Sequence, residues 1–157
     1  MTLLLPPPMR CALDLAAQAG ESGEVPVAAV ITRGSEIIAT ATNAMLALID
    51  PTAHAEVVVI RSAAAKLGNV RLAGCDLWVT LEPCAMCAGA IAHARLDRVY
   101  YAASDPKGGG VSHGARVFSH PTCHHRPEVY SGIGESEASA QLRDFFAARR
   151  SPGSRAE

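Results

Sequence analysis

The stretch CDLWVTLEPCAMCAGAIAHARLDRVYYAA, running from Cys75 to Ala103, decides the fold. Cys75 to Thr80 is apolar and rich in strand formers, so it reads as a buried strand. Pro83 is placed to open a helix, and the Ala-rich run through Ala94 sustains it. Arg98 to Ala103 is strand-like again. A strand, a helix and a strand in close succession imply parallel pairing and a right-handed crossover.

The pattern extends outward from this unit. Val25 to Thr32 is continuous and β-branched, which predicts a buried strand. Arg33-Gly34-Ser35 supplies a turn, and Glu36 to Thr42 the hairpin return. Asp50-Pro51-Thr52 is a helix-start signal, with the helix running to about Leu67 and Gly68 closing it. Met9, Ala12, Leu13, Ala16 and Ala19 recur near a 3.6-residue period, which predicts a helix over 9–20. Downstream, Lys107 to Gly114 is Gly-rich and Ser119 to Arg126 polar and irregular. Pro127 to Tyr130 suggests a short strand, and Ser136 to Arg150 a final helix. The sum is an α/β layered sheet with helices on both faces.

Composition bounds the function. The chain has 157 residues, and residues 1–150 are expected to form a single domain with a disordered tail over 151–157. Hydrophobic residues make up 49% and charged residues 18%, which argues against an acidic activator or a largely disordered chain. Aromatics are only 4%, so Ala, Val, Ile and Leu must build the core. No apolar run approaches the ~20 residues of a membrane span. Leu3-Leu4-Leu5 before Pro6-Pro7-Pro8 reads as a ragged lead-in, too short for a signal sequence. A cytoplasmic location is the resulting expectation.

The net charge of −1 excludes a globally basic nucleic-acid binder. Its distribution is uneven: residues 85–126 carry net +3 and five of the six histidines. Such a stretch is what a contact with a phosphate backbone needs.

Five cysteines cannot all pair, and closely spaced ones without a secretion signal point to metal or catalysis. Cys84 and Cys87, at i and i+3, share a helical face. His54, at the start of another helix, can complete a Cys₂His set. Such a set leaves one position open, as in catalytic zinc sites, and a water held there loses its proton more easily. Glu56, two residues beyond His54, is placed to move a proton between that water and a departing group. A lone C-x-x-C also occurs in redox pairs and structural zinc clips; the joint pattern with H-x-E favours catalysis. Cys11 and Cys75 read as core fillers. Cys123, among His120, His124 and His125, reads as a solvated loop, with a second metal site as the alternative.

H-x-E followed by P-C-x-x-C resembles the signature of the zinc-dependent cytidine/nucleoside deaminase superfamily. Val25-Pro26-Val27-Ala28-Ala29-Val30, Asp50 to Glu56, Thr80 to Ala90, Arg98-Val99, His120-Pro121, His125-Arg126 and Asp144-Phe145-Phe146 narrow the likeness to the bacterial tRNA-specific adenosine deaminases. It covers about Met9 to Arg150. The resemblance implies a cytidine deaminase-like, three-layer α/β/α sandwich with a five-stranded mixed sheet. It also implies a homodimer, one Zn²⁺ per chain on His54, Cys84 and Cys87, and Glu56 as general acid/base. The implied reaction is deamination of adenosine to inosine at the wobble position of a tRNA anticodon loop. Asn43, Val27, Ala55, Pro83, Asp105 and Lys107 would then meet the substrate, and Phe145 and Phe146 would shape the C-terminal helix near the anticodon.

Ala28, Pro106 and the run Gly108 to Gly114 depart from that family's pattern. Two alternatives therefore stand beside it: a deaminase of a free purine or pyrimidine base or nucleoside, and a non-catalytic zinc module binding RNA or a partner.

Overall fold

The computed structural model describes residues 4–150; the expected tail over 151–157 lies outside the described residues. The organising element is β1 (Ala28–Arg33), whose first five residues are all buried. It is flanked by β2 (Glu36–Thr42) on one side and β3 (Cys75–Leu81) on the other, antiparallel to both. Next come β4 (Arg98–Ala103), parallel to β3, and β5 (Glu128–Ser131), parallel to β4. The order β2-β1-β3-β4-β5 is the five-stranded mixed sheet that the resemblance implies.

Side chains alternate across each strand, so one sheet can serve two cores. Ala29, Ile31, Leu77, Val79, Val99 and Tyr101 point to one face. There they pack on α3 (Ala55–Leu67) and α4 (Ala85–Ala94), through Val59, Ala63, Ala88 and Ile91. Val30, Trp78 and Ala102 point the other way, onto Met9, Ala12 and Leu13 of α1 (Pro7–Glu21) and Ala138 of α5 (Glu135–Arg149). Two helical layers enclosing the sheet complete the three-layer sandwich. Three of the seven aromatics lie in one row across it. Trp78 stacks on Tyr100 at 3.8 Å and Tyr100 on Tyr130 at 5.1 Å, each pair in register. A second row, Asp76–Arg98–Glu128, runs beside it as ion pairs of 3.6 and 3.2 Å.

Arg98–Ala103 is a strand as expected, whereas several ends shift for local reasons. The helix expected over 9–20 starts at Pro7, within the proline lead-in, because first-turn positions need no N–H donor. The strand expected from Val25 starts at Ala28: the Val27 N–H turns back to the Val25 carbonyl (2.8 Å), and Pro26 has no N–H to give. The helix expected from Asp50 starts at Ala55. The Asp50 carboxylate accepts the Thr52 N–H (2.8 Å) and hydroxyl (2.7 Å), building a turn instead. The helix expected from Pro83 starts at Ala85, with Cys84 extended at its N-cap. The short α2 (Met45–Leu48) has no buried residue and so no apolar stripe to announce it.

Leu77 sits fully buried on a strand paired on both sides. Leu77→Ala is expected to cost about 2–5 kcal/mol of unfolding free energy, read from urea denaturation midpoints.

Candidate active site

Topology determines what meets here. β2 and β3 flank β1 antiparallel to it, so they run parallel to each other, and β4 runs with them. Their C-terminal ends, and the N-terminal end of β1, therefore lie at one rim of the sheet. The segments leaving those ends carry the candidate residues: Asn43 and Met45 after β2, Cys84 after β3, Asp105 and Gly108 after β4, and Val25 and Val27 before β1. Ligands of open α/β sheets gather at such a rim. Among the residues lining a cavity of about 240 Å³ there are Val25, Val27, Asn43, Met45, His54, Glu56, Leu81, Glu82, Cys84, Asp105 and Gly108.

His54 and Cys84 are N-cap residues, of α3 and α4, and both are extended. Cys87 follows in the first turn of α4. The His54 Nδ1 lies 3.6 Å from Cys84 Sγ and 3.5 Å from Cys87 Sγ. Legs of about 2.3 Å to sulfur and 2.05 Å to nitrogen, meeting at the tetrahedral angle, set S and N about 3.6 Å apart. The donor set thus fits a zinc ion in both chemistry and spacing, with a fourth position left over. Among the described residues it is the one His/Cys/Asp/Glu group of this kind, its donor atoms all within 4.8 Å of one another.

Hydrogen bonding with Cys87 draws the Cys84 thiol down to about 5 despite partial burial, with His54 adding to the effect. The same hydrogen bond pushes the Cys87 thiol up, and burial adds to this. Glu56, in the first turn of α3, is 4% exposed. Burial pushes its carboxyl up to about 7. Glu82 is buried as well, but the Asp105, Ser112 and Val111 N–H groups and the His113 ring outweigh that burial, and its carboxyl lies below the ordinary value.

The other expected residues divide. Val27, Asn43 and Asp105 line the cavity. Asn43 is 5% exposed, and its Nδ2 has no hydrogen-bond partner among the described residues. Ala55, the first residue of α3, is fully buried in the core. Pro83 is buried, and its carbonyl accepts the Gly110 N–H at 2.8 Å. Lys107 is exposed on the loop beyond β4. Phe145 packs at Gly20 and under the Arg149 guanidinium (4.3 Å), while Phe146 meets it edge-on.

The Cys123 and histidine loop is fastened by hydrogen bonds. The Cys123 thiol donates to the His125 carbonyl (3.2 Å). The ring nitrogens of His120 and His125 face the carbonyls of Ala115 and Leu96. The basic stretch is partly spent on structure: Arg95 and Arg126 donate to the carbonyls of His124 and His120, and Arg98 joins the ion row. Sequence reasoning missed Met45, Leu81 and Glu82. For Glu82 the available signal was an acid ending an apolar strand.

Residues 7–103 match the cytidine and deoxycytidylate deaminase zinc-binding region, and the chain belongs to that family of zinc-dependent hydrolytic enzymes. Within it, the chain is 55% identical to a tRNA-specific adenosine deaminase of Agrobacterium fabrum, over 90% of this chain and 93% of that one. A tRNA-specific adenosine deaminase of Haemophilus influenzae is 43% identical, over 90% and 83%. A solved structure from work on A-to-I editing by tRNA:A34 deaminases at the wobble position superimposes with a TM-score of 0.84. It shares 55% identity and covers 86% of this chain and 98% of that one. A guanine deaminase from Bacillus subtilis is 32% identical over 96% of both chains, with a TM-score of 0.63. Among the described residues no helix is long and apolar enough to cross a membrane.

The purified chain is expected to carry one zinc, measured by plasma mass spectrometry. Cys87→Ala is expected to lower that occupancy at least about tenfold, since three protein ligands are the minimum of such sites.

Proposed function

We propose that the chain hydrolyses adenosine to inosine at the wobble position of a tRNA anticodon loop. The observation that carries this reading is a buried carboxyl, Glu56, on the same base-sized cavity as His54 and Cys84, which form one donor group with Cys87. The high identity to tRNA-specific adenosine deaminases supplies the substrate class.

In this reading His54, Cys84 and Cys87 hold one zinc, which when bound supplies an acidified water and a positive charge beside the reacting carbon. Glu56 takes the proton from water and delivers it to the amine. A C6–O bond forms, the C6–N bond breaks, and ammonia leaves. Val27 and Leu81 offer apolar walls to the ring, and burying the flat faces of a flipped base favours its departure from the stack. The Asn43 amide, buried with its N–H donors unspent, donates to a ring nitrogen or ribose oxygen. Asp105 and Lys107 face the ribose and backbone. Ala55 and Pro83 act from behind the cavity wall, holding the N-caps in place.

The same reading includes a homodimer. Between α3 and α4 lies a groove of about 580 Å³, floored by Val57, Ile60 and Ala90 and rimmed by Arg61, Arg71 and Arg95. Val70 beside it is 83% exposed. An apolar floor with a polar rim suits a second copy.

An anticodon stem-loop with wobble adenosine is expected to yield inosine by nucleoside mass spectrometry. Ammonia released from guanine or cytosine, with no inosine, transfers the assignment to free bases. Glu56→Gln is expected to lower kcat about 10²–10⁴-fold while zinc content holds. Light scattering should return twice the 16.4 kDa chain mass.

A further inference from the structure

Glu82 has no part in the proton transfers above, yet it is the most heavily hydrogen-bonded carboxylate at the site. It leaves the end of β3 two residues before Cys84, and its side chain is fully buried. Its Oε2 accepts three consecutive backbone N–H groups, from Val111 (3.2 Å), Ser112 (3.0 Å) and His113 (3.2 Å). Its Oε1 accepts the Asp105 N–H at 3.1 Å and faces His113 Nδ1 at 2.7 Å. Successive N–H groups converging on one oxygen form an anion-binding concavity, here filled by the protein's own carboxylate. Bonds to an ionised acceptor are the strong ones, and each removes a degree of freedom from the loop.

The loop answers with glycines where it comes closest. A Cβ on Gly109 would strike the Glu82 carboxylate and the Asp105 carbonyl. One on Gly110 would lie 2.5 Å from the Ala85 nitrogen and 2.8 Å from the Cys84 carbonyl carbon. The loop is thus pressed onto the N-terminus of α4 and anchored by one side chain. Its Asp105 and Gly108 form part of the cavity wall.

We propose that Glu82 is a positioning residue: its carboxylate holds the backbone of residues 105–113 against the zinc helix and so fixes the wall that admits the substrate. It acts on substrate binding, not on the reacting atoms. Because four of the five contacts of the anchor are to backbone amides, it fixes the course of the main chain, and the close approach holds Gly109 and Gly110 to glycine.

The kinetic half of this proposal rests on the deaminase reading; the structural half does not. The test uses the zinc-loaded full chain with Glu82→Gln and, separately, Gly109→Ala, which disturbs the same contact and keeps the carboxylate. Hydrogen exchange at Asp105, Val111, Ser112 and His113 is expected to accelerate at least about tenfold in both, with the β3 and β4 amides unchanged. KM for the stem-loop is expected to rise at least about tenfold, with kcat within about threefold and zinc at one per chain. Unchanged exchange at those four amides overturns the proposal. So does a fall in kcat at constant KM, or loss of zinc in both variants, which would place Glu82's action on the metal helix. If Glu82→Gln does not fold, Gly109→Ala decides. If the wild-type chain makes no inosine, the deaminase reading fails and the exchange experiment decides alone.

Discussion

Two helices must begin close enough for side chains at their first turns to meet, and the rest of the structure serves that requirement. α3 follows β2 and α4 follows β3, two strands that run in the same direction with β1 between them. Both helices therefore start at the same rim and lie side by side on the same face. Alanines where they touch the sheet, such as Ala55, Ala63 and Ala88, allow the close approach that brings His54 Nδ1 to the two sulfurs. Helix N-termini favour negative charge, which suits a thiolate at Cys84. The sandwich positions the donors, and the donors explain why His54 and Cys84 stand at the two N-caps.

What the sequence disclosed follows from how narrow each signal is. The βαβ unit was legible because a continuous apolar strand, a proline and an alanine run leave few alternatives. The donors and Glu56 were legible because few chemistries use H-x-E with P-C-x-x-C. Helix starts were less so: the Asp50 turn and the proline lead-in both move a boundary by a local bond that periodicity does not see. Glu82 stayed silent for a deeper reason. Four of its five partners are main-chain amides up to 31 residues away, and amides have no sequence signature.

The charge of residues 85–126 serves the fold as well as the surface. The +3 stretch beside the zinc helix suggested a displayed basic face. Folded, three of its five cations are engaged with carbonyls or carboxylates of the same chain. The Cys123 and histidine cluster is similar: residues that could bind a metal instead brace a long connection between β4 and β5. That connection lacks a crossover helix, so side-chain bonds to backbone carbonyls carry its shape.

The aromatic row across the sheet has an optical consequence. The chain has a single tryptophan, and its indole lies flat against Tyr100 at 3.8 Å while its Nε1 donates to Thr32 on the neighbouring β1. Its excited state is coupled to strands on both sides, β1 through the hydrogen bond and β4 through the stacked ring, with β5 one ring further out. Emission from this one residue reports on the integrity of the central sheet without any added label.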